Sequence, residues 1–272
     1  MTAVNSLLEF VLHRDLRPVS AGKGTPHVWL CDLNSVLPED VARLSALSVD
    51  ELSRADRLKS AVQKERFLRS RQVLRTLLAG ALEIEPAAIE WKLGPWGKPA
   101  IANSAPISPR GLIHFSLAHA EGWLAIAVAW GHEIGVDLEI IRPDINPYRL
   151  AVIHFSPREA AELGQLTLPE RRERFYQLWT LKEAYLKAQG VGVAGGMQQP
   201  EFCQKNERGQ AADSALLCAA NQGHGWWHCQ SLAVLGNQTA SLALASNTIP
   251  GGLAEIGLPS SESTWSAYFD QS

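Results

Sequence analysis

Hydrophobic and polar positions along the chain predict strands in some segments and helices in others. The run Trp123–Trp130 is almost wholly apolar and has a glycine on each side, which indicates a buried strand. Residues 133–140 follow the short Gly131-His132 linker, so we expect them to form a strand that is joined to the first by a hairpin turn. Two shorter strands are predicted at residues 27–33 and 112–116.

Two long segments have a helical pattern. Ser48 and Glu51 have the spacing of a capping box, and the helical pattern behind them continues, with a break, to about Leu82. Residues 169–189 form the strongest helical segment of the chain. A proline suits its first turn, and Gly190 suits the residue past its C-cap.

Helices precede strands in both halves of the chain. This order predicts a mixed α+β fold with two lobes of similar size. We expect the N-terminal lobe at residues 1–131 and the C-terminal lobe, with a short tail, at residues 132–272.

Composition narrows the class of protein. Hydrophobic residues make up 46% of the 272 residues, and the net charge is −3, which favours a substantial core and argues against a general nucleic-acid binder. The apolar runs are too short to span a bilayer, and no leader-like segment starts the chain. The cysteines lack a CxxC pair or disulfide spacing, so we expect a cytoplasmic protein. They are Cys31, Cys203, Cys218 and Cys229.

Positive charge is concentrated between Arg54 and Arg75. This segment has a local charge of +6, although the whole chain has −3. It could hold a polyanionic ligand such as a nucleotide phosphate, and the alternative is an ordinary solvated helix face. A nucleic-acid surface is less well supported, because Phe67 is its only aromatic residue. Its cations are Arg54, Arg57, Lys59, Lys64, Arg66, Arg69, Arg71 and Arg75.

Asp137 and Glu139 lie two residues apart on a predicted strand. Their side chains therefore share one face, and two neighbouring carboxylates repel each other unless a cation lies between them. Mg²⁺ suits such a pair, because it prefers oxygen ligands and phosphates. The alternative is an exposed strand face with two acids.

Glu183 and Lys187 lie one turn apart on the long predicted helix, away from its core stripe of Leu178, Leu181 and Tyr185. The simplest interpretation is an i,i+4 ion pair worth about 0.3–0.5 kcal/mol. His119 lies at a turn between two apolar strands, where it can donate to a phosphate or cap the turn. His224, His228 and Cys229 lack a fourth ligand at suitable spacing, so we do not expect a zinc site.

In combination these segments resemble the Sfp-type 4′-phosphopantetheinyl transferases. Residues 115–119 are similar to the family's F-N-x-S-H element, and residues 135–139 match G-[IV]-D-[IV]-E. Residues 179–187 match W-x-x-K-E-[AS]-x-x-K, and residues 97–99 match the G-K-P turn. Each motif alone is weak, but the ordered set, within about residues 48–200, is highly specific.

The resemblance implies a monomer of two similar α/β lobes related by pseudo-twofold symmetry, with coenzyme A in the cleft between them. It implies a reaction in which the 4′-phosphopantetheine arm moves to a serine of an apo acyl or peptidyl carrier protein and adenosine 3′,5′-bisphosphate leaves. Asp137, Glu139 and Glu183 would bind Mg²⁺, and Lys187 would hold a pyrophosphate oxygen. Asp137, Glu183 and Lys187 would be the catalytic residues, with Glu183 as a metal ligand or a base.

The resemblance also implies the binding residues for the rest of coenzyme A. Arg54, Arg66 and His119 would hold the 3′-phosphate, and Lys98 with the Gly97 backbone would border the adenine. The chain departs from the family pattern at two positions, since Ser116 replaces an asparagine and Ala118 replaces a hydroxyl residue.

Two other functions use the same residues. A metal-dependent phosphodiesterase or nuclease would use the carboxylates and the basic helix without any carrier protein. A non-catalytic nucleotide-binding or carrier-binding module would bind coenzyme A and be indifferent to Mg²⁺. The sequence does not name the physiological carrier or the pathway.

Overall fold

The structure is a computed structural model of the chain. It describes residues 26–34, 46–102, 111–192, 196–199, 201–202, 215–218, 227–235 and 240–247. These ranges contain five α-helices, one 3-10 turn and nine strands. None of these helices has the length and apolar character needed to cross a membrane. The expected C-terminal tail lies outside the described residues.

The first half of the chain has five strands and two helices in its described part. The capping box predicted at Ser48 and Glu51 is confirmed at the start of the first helix. The predicted break is also present, and Ser60 caps the second helix. The elements are β1 His27–Asp32, α1 Val49–Asp56, α2 Ala61–Leu82, a 3-10 turn Pro86–Ala88, β2 Trp91–Leu93, β3 Pro99–Ile101, β4 Ile113–Ala120 and β5 Trp123–Trp130.

The second half begins with a strand and three helices. Its longest helix starts behind a capping box of Thr167 and Glu170. It ends at Gly190, which has a left-handed φ of 73° and is the C-cap itself, rather than the residue past it. The elements are β6 Ile134–Ile140, α3 Pro147–His154, α4 Pro157–Gln165, α5 Leu168–Gln189, β7 Ala215–Cys218, β8 Trp227–Leu235 and β9 Ala240–Ser246.

Antiparallel pairing gives two larger sheets and one separate hairpin. In the first sheet the strand order is β1-β5-β4, and in the second it is β6-β9-β8-β7. Strands β2 and β3 pair only with each other within the described residues. In each larger sheet, the first and last strands of one half of the chain pair with each other: β1 with β5 in the first half, and β6 with β9 in the second.

The predicted hairpin between β5 and β6 is wrong. Both edges of β5 are already occupied, by β1 and β4, so no edge is left for β6. Strand β6 pairs with β9 instead and lies against β4. There the Ser116 hydroxyl accepts a hydrogen bond of 3.1 Å from the Val136 amide and links the two sheets.

The two sheets and the two long helices form four layers. One face of the first sheet packs against α2, and its other face packs against β6. Helix α5 covers the far side of β6 and β9. The alternation along β5 explains this arrangement, because large and small apolar side chains face opposite ways. Leu124, Ile126 and Val128 belong to the α2 side, and Ala125, Ala127 and Ala129 belong to the β6 side.

Candidate active site

A cleft of about 920 Å³ opens between α1, α2, the β2–β3 hairpin and the C-terminal end of α5. Arg54 and Arg71 line it from the helices of the first half, and Lys98 lines it from the hairpin. Lys187 reaches it from α5. Cations from both halves of the chain therefore converge on one cleft, which suits a ligand with several negative charges.

The two predicted strand carboxylates lie on β6, which packs directly on the backbone of α5. Gly135 permits this close approach, because a Cβ at this position would collide with the backbone of Ala184 and Ala188. Position 135 of the G-V-D-L-E segment therefore has to be glycine, because there is no room for a side chain. As a result, Asp137 lies beside the last turns of α5.

Asp137 is only 4% exposed, so the alternative of an exposed acidic face is wrong for this residue. Its Oδ1 accepts a hydrogen bond of 2.6 Å from Lys187 Nζ. Its Oδ2 is buried, and no hydrogen bond from the described residues reaches it. Burial raises the pKa of Asp137, and the charge of Lys187 opposes that rise. A buried oxygen without a partner is a place where a cation or a donor can bind.

Glu139 lies at the next position on the same face of β6 and is half-buried. Burial, followed by the charge of Asp137, raises its pKa to about 7. Lys187 and a hydrogen bond from the Trp179 indole oppose this shift. Glu139 is thus held in position by Trp179 while its ionised form is disfavoured.

Glu183 completes the acidic group from α5. Burial, and then the charge of Asp137, raises its pKa. Because Asp137 acts on both glutamates, the three carboxylates share one electrostatic site. The structure brings together the residues that the sequence predicts as metal ligands.

The donor set fits a hard divalent cation, although it is not preassembled. No three histidine, cysteine, aspartate or glutamate side chains within the described ranges form a ready metal site. Asp137, Glu139 and Glu183 offer only oxygen donors, as Mg²⁺ prefers, and one of these oxygens is buried without a partner. The raised pKa values reflect burial first and, at Glu139 and Glu183, repulsion by Asp137; a divalent cation would favour the ionised form of all three carboxylates.

Lys187 pairs across the elements rather than along its helix. Its ion pair is with Asp137 at 2.6 Å, and the described contacts include no such pair with Glu183, so the simple i,i+4 interpretation is wrong. Its side chain is 30% exposed, which leaves the ammonium accessible from the cleft. Lys187 can therefore hold Asp137 and meet a ligand oxygen at the same place.

Helices α1 and α2 each bring an arginine side chain to the wall of the cleft. The guanidinium groups of Arg54 and Arg71 lie over the Phe67 ring, at 5.6 and 5.2 Å from its centroid. Burial lowers the pKa of Arg71; Glu51 opposes this shift, and the charges of Arg54 and Arg75 add to it. No hydrogen bond or ion pair from the described residues satisfies the Arg71 side chain, so it is available to an anion.

Arg75 has a structural role despite its place in the basic segment. Its side chain is 1% exposed and pairs with Glu51 at 2.8 Å. It also donates to the carbonyls of Pro86 and Ile89. Glu51 in turn accepts from the Trp91 indole. This buried group fixes α1 and α2 against the hairpin and positions Arg54 at the cleft.

Arg66 and His119 lie near the turn between β4 and β5. Arg66 Nε donates to Asn34 Oδ1 at 3.1 Å, and the Asn34 side chain lies against Gly122 in that turn. Arg66 and His119 are not among the residues that line the cleft. Desolvation, then Arg71 and Lys187, lower the pKa of His119, so its imidazole is neutral and sits in a positive field.

Lys98 lines the cleft with its stem while its ammonium is directed into the protein. Nζ donates to Glu133 Oε2 at 3.0 Å, to the Ile134 carbonyl at 3.2 Å and to the Ala188 carbonyl at 2.8 Å. The neighbouring Gly97 also lines the cleft and has a left-handed φ of 83°. The structure thus places all three residues of the predicted G-K-P turn at the cleft.

Sequence reasoning missed two contributors to the site. Arg71 was noted only as one of eight cations, and its place in the cleft depends on helix packing. Trp179 was noted only as the first residue of its motif, although its indole contacts a carboxylate of β6. The position of Trp179 at the start of the W-x-x-K-E segment was the one available signal.

The histidine and cysteine group considered for zinc is described only in part. His224 and the side chain of His228 lie outside the described residues. Cys229 is buried in the core of the second half, at 2% exposure. Cys203 and the side chain of Cys218 also lie outside the described residues.

Comparison with known proteins gives a consistent result. The model of the 4′-phosphopantetheinyl transferase superfamily matches residues 133–245. The chain is 38% identical over 174 residues to slr0495 of Synechocystis sp., covering 64% of this chain and 68% of that protein. It is 35% identical over 168 residues to the 4′-phosphopantetheinyl transferase HetI of Nostoc sp., covering 62% and 70%. It is 32% identical over 198 residues to a phosphopantetheinyl transferase of Thraustochytrium sp., covering 67% of each.

Proposed function

The chain belongs to the 4′-phosphopantetheinyl transferase superfamily, and we propose that it moves the 4′-phosphopantetheine arm of coenzyme A to a serine of an apo acyl or peptidyl carrier protein. The observation that carries this proposal is the cleft lined by cations from both halves of the chain. Arg54, Arg71 and Lys187 line it, and Lys187 is bonded to Asp137, which shares one electrostatic group with Glu139 and Glu183. A nucleotide with separate phosphate groups suits such a cleft.

The three carboxylates beside Lys187 support a metal-dependent reaction. Asp137, Glu139 and Glu183 would hold Mg²⁺, with the buried Asp137 Oδ2 as the best-prepared ligand. When bound, the metal would neutralise charge on the pyrophosphate oxygens. Without a cation, burial and the charge of Asp137 disfavour the ionised forms of Glu139 and Glu183, and Lys187 only partly opposes this.

The residues of the chain have separate tasks in the transfer. The carrier serine oxygen forms a bond to the phosphorus that carries the pantetheine arm, and the phosphorus–oxygen bond to adenosine 3′,5′-bisphosphate breaks. Lys187 stabilises the negative charge that develops on the leaving phosphate. Glu183 accepts the serine proton, directly or through a water.

The arginines that α1 and α2 bring to the cleft support recognition of the nucleotide. We propose that Arg54, Arg66 and His119 hold the 3′-phosphate, and the positive field around His119 supports this. Arg71 adds a further cation to the same region. The Lys98 stem and the Gly97 backbone border the adenine, consistent with their place along the cleft.

The topology supports two lobes related by a pseudo-twofold axis. Each half has a first strand, two or more helices that end in a 22-residue helix, and then the strands that complete its sheet. In each sheet the first strand pairs with the last strand of its half. We propose a lobe boundary between residues 131 and 132, and a monomer that works in the cytoplasm without nucleic acid or membrane.

Product analysis tests the proposed reaction. The chain is incubated with coenzyme A and Mg²⁺, with and without an apo carrier protein, and adenosine 3′,5′-bisphosphate is measured by chromatography. The proposal predicts product only when the carrier is present. Product without a carrier would indicate a phosphodiesterase instead, and no product in either case would indicate a binding module.

A further inference from the structure

Lys98 connects the β2–β3 hairpin to β6 and to the last turn of α5. It lies in the turn just before β3, and its ammonium donates three hydrogen bonds, to the carboxylate of Glu133, to the Ile134 carbonyl at the start of β6 and to the Ala188 carbonyl in the last turn of α5. An ammonium group has three N–H donors. All three are used, so the Lys98 charge is committed to the protein.

The Glu133 end of this connection is itself firmly held. Its other carboxylate oxygen lies 3.2 Å from His114 Nδ1 on β4, and its backbone amide donates to the Asn247 side chain at 2.7 Å. The hydrogen bond from His114 and the charge of Lys98 lower the pKa of Glu133 to about 2, although burial opposes the shift. The acceptor is therefore ionised at any pH at which the protein would work, and it anchors Lys98 to both sheets.

The Ala188 end of the connection lies beside a residue of the active site. Ala188 follows Lys187, whose ammonium lies 2.6 Å from Asp137. The helix ends two residues later at Gly190, where the Gly190 amide donates to the Lys187 carbonyl. The last carbonyls of a helix lack intrahelical partners, and Lys98 supplies one from outside. The Lys98 stem also lies close to Gly190, 3.4 Å from where a Cβ would be.

We propose that Lys98 is a positioning residue, which fixes the last turn of α5 and so places Lys187 for the transfer of the phosphopantetheine arm. This inference rests on the proposed function and deepens it. The Lys98 ammonium acts through Lys187, and its stem alone faces the ligand. The β2–β3 hairpin, which forms one wall of the cleft, is fixed to α5 by the same contact.

The test is a double-mutant cycle between Lys98 and Lys187, scored by kcat with saturating coenzyme A. Lys98→Met keeps the stem and removes the three donors. We expect it to lower kcat about tenfold in the wild-type background and by less than about twofold in the Lys187→Ala background. Lys98→Arg, which keeps the charge and several donors, should restore part of the rate. The matched control is Lys92→Met on the same hairpin, because Lys92 is exposed and should not change kcat in either background.

A second measurement does not need activity. Hydrogen exchange of the Gly190 and Val191 amides, which close the end of α5, should be faster in Lys98→Met and unchanged in Lys92→Met. A wild-type kcat in Lys98→Met, or the same tenfold loss in the Lys187→Ala background, would overturn the positioning role. Unchanged exchange in Lys98→Met would show that Lys98 does not fix the last turn of α5, and this test does not depend on activity. Absence of transfer by the wild-type chain is a separate result, which would overturn the proposed function.

Discussion

Gly135 on β6 lies directly against the backbone of Ala184 on α5, with no room for a Cβ between them. This contact brings the carboxylates of β6 next to the residues of α5 that complete the site. Asp137 lies two residues after Gly135, and Lys187 lies three residues after Ala184. The 2.6 Å hydrogen bond between them therefore depends on a glycine that has no chemistry of its own.

Replacement of Gly135 by alanine should damage folding and activity together. Because the added methyl group must push β6 away from α5, we expect a loss of about 1–3 kcal/mol in the free energy of unfolding and a clear fall in kcat. Urea denaturation and transfer assays measure the two effects. Gly94→Ala is the control, since its nearest neighbour would lie at an ordinary 3.5 Å. Equal stability of the two variants would contradict the close packing of β6 on α5.

The sequence predicted the local elements well, because their signals are short-range. The strand Trp123–Trp130 and the end of the long helix at Gln189 were both predicted correctly. The capping box at Ser48 was correct as well. These features depend on neighbouring residues and on a period of two or 3.6. Asp137 and Glu183 were predicted to meet only through the family resemblance.

Most errors and omissions concern contacts between distant segments; one helix is the exception, because its Asn146 N-cap and first-turn proline are local signals. The β5–β6 hairpin was predicted from a short linker, but the edges of β5 are occupied by strands from elsewhere in the chain. The helix Pro147–His154 was missed. Lys182 is fully buried, pairs with Glu159 at 2.9 Å and lies near the rings of Phe155 and Phe202. The neighbouring sequence gives no signal of these contacts. Such pairs appear only when the helices are packed.

Glu139 should contribute less to the stability of the metal-free protein as the pH rises through the acidic range. Its pKa is raised from 4.5 to about 7, so between these values its folded state binds more protons than the unfolded chain. This contribution is lost with rising pH, by on the order of 1–3 kcal/mol, whereas His119, whose pKa is lowered from 6.5 to about 4, acts in the opposite direction. In urea denaturation, Glu139→Gln should therefore gain more stability, or lose less, between pH 5 and pH 8 than wild type does. An identical pH dependence of the free energy of unfolding in both proteins would contradict the raised pKa of Glu139.

Added Mg²⁺ should stabilise the folded protein more as the pH rises. Because deprotonated carboxylates bind the cation, the stabilisation by Mg²⁺ should be larger at pH 8 than at pH 5. Thermal unfolding with and without Mg²⁺ measures it, and Asp137→Ala should abolish most of it. A stabilisation that is equal at both pH values, or that survives in Asp137→Ala, would place the cation elsewhere.

Glu183 and Lys187 should affect turnover more than folding. Glu183→Gln keeps the size and one oxygen but loses the charge and basicity, and we expect kcat to fall at least about tenfold, equivalent to about 1.4 kcal/mol. Lys187→Ala should lower kcat more than coenzyme A binding, since its charge matters most as the phosphate leaves. Glu173→Gln on the same helix is the control. A folded Glu183→Gln with wild-type turnover would remove Glu183 from the active site.

The basic residues should distinguish coenzyme A from 3′-dephospho-coenzyme A. Arg54→Ala and Arg66→Ala should each raise KM for coenzyme A several-fold more than KM for the dephosphorylated substrate, because each removes a charge from the 3′-phosphate. Arg57→Ala, an exposed cation of the same segment, should change neither KM. Equal effects on both substrates would show that Arg54 and Arg66 do not contact that phosphate.

Intact mass spectrometry of an apo carrier protein, incubated with the chain, coenzyme A and Mg²⁺, tests the central claim most directly. We predict that the carrier gains the mass of one phosphopantetheine group. We also predict that the gain disappears when the acceptor serine is replaced by alanine, and that Asp137→Ala transfers at less than about a tenth of the wild-type rate, a loss of at least about 1.4 kcal/mol. A carrier of unchanged mass with the wild-type chain would contradict the proposed reaction. A mass gain at an undiminished rate with Asp137→Ala would contradict the role of the β6 carboxylates.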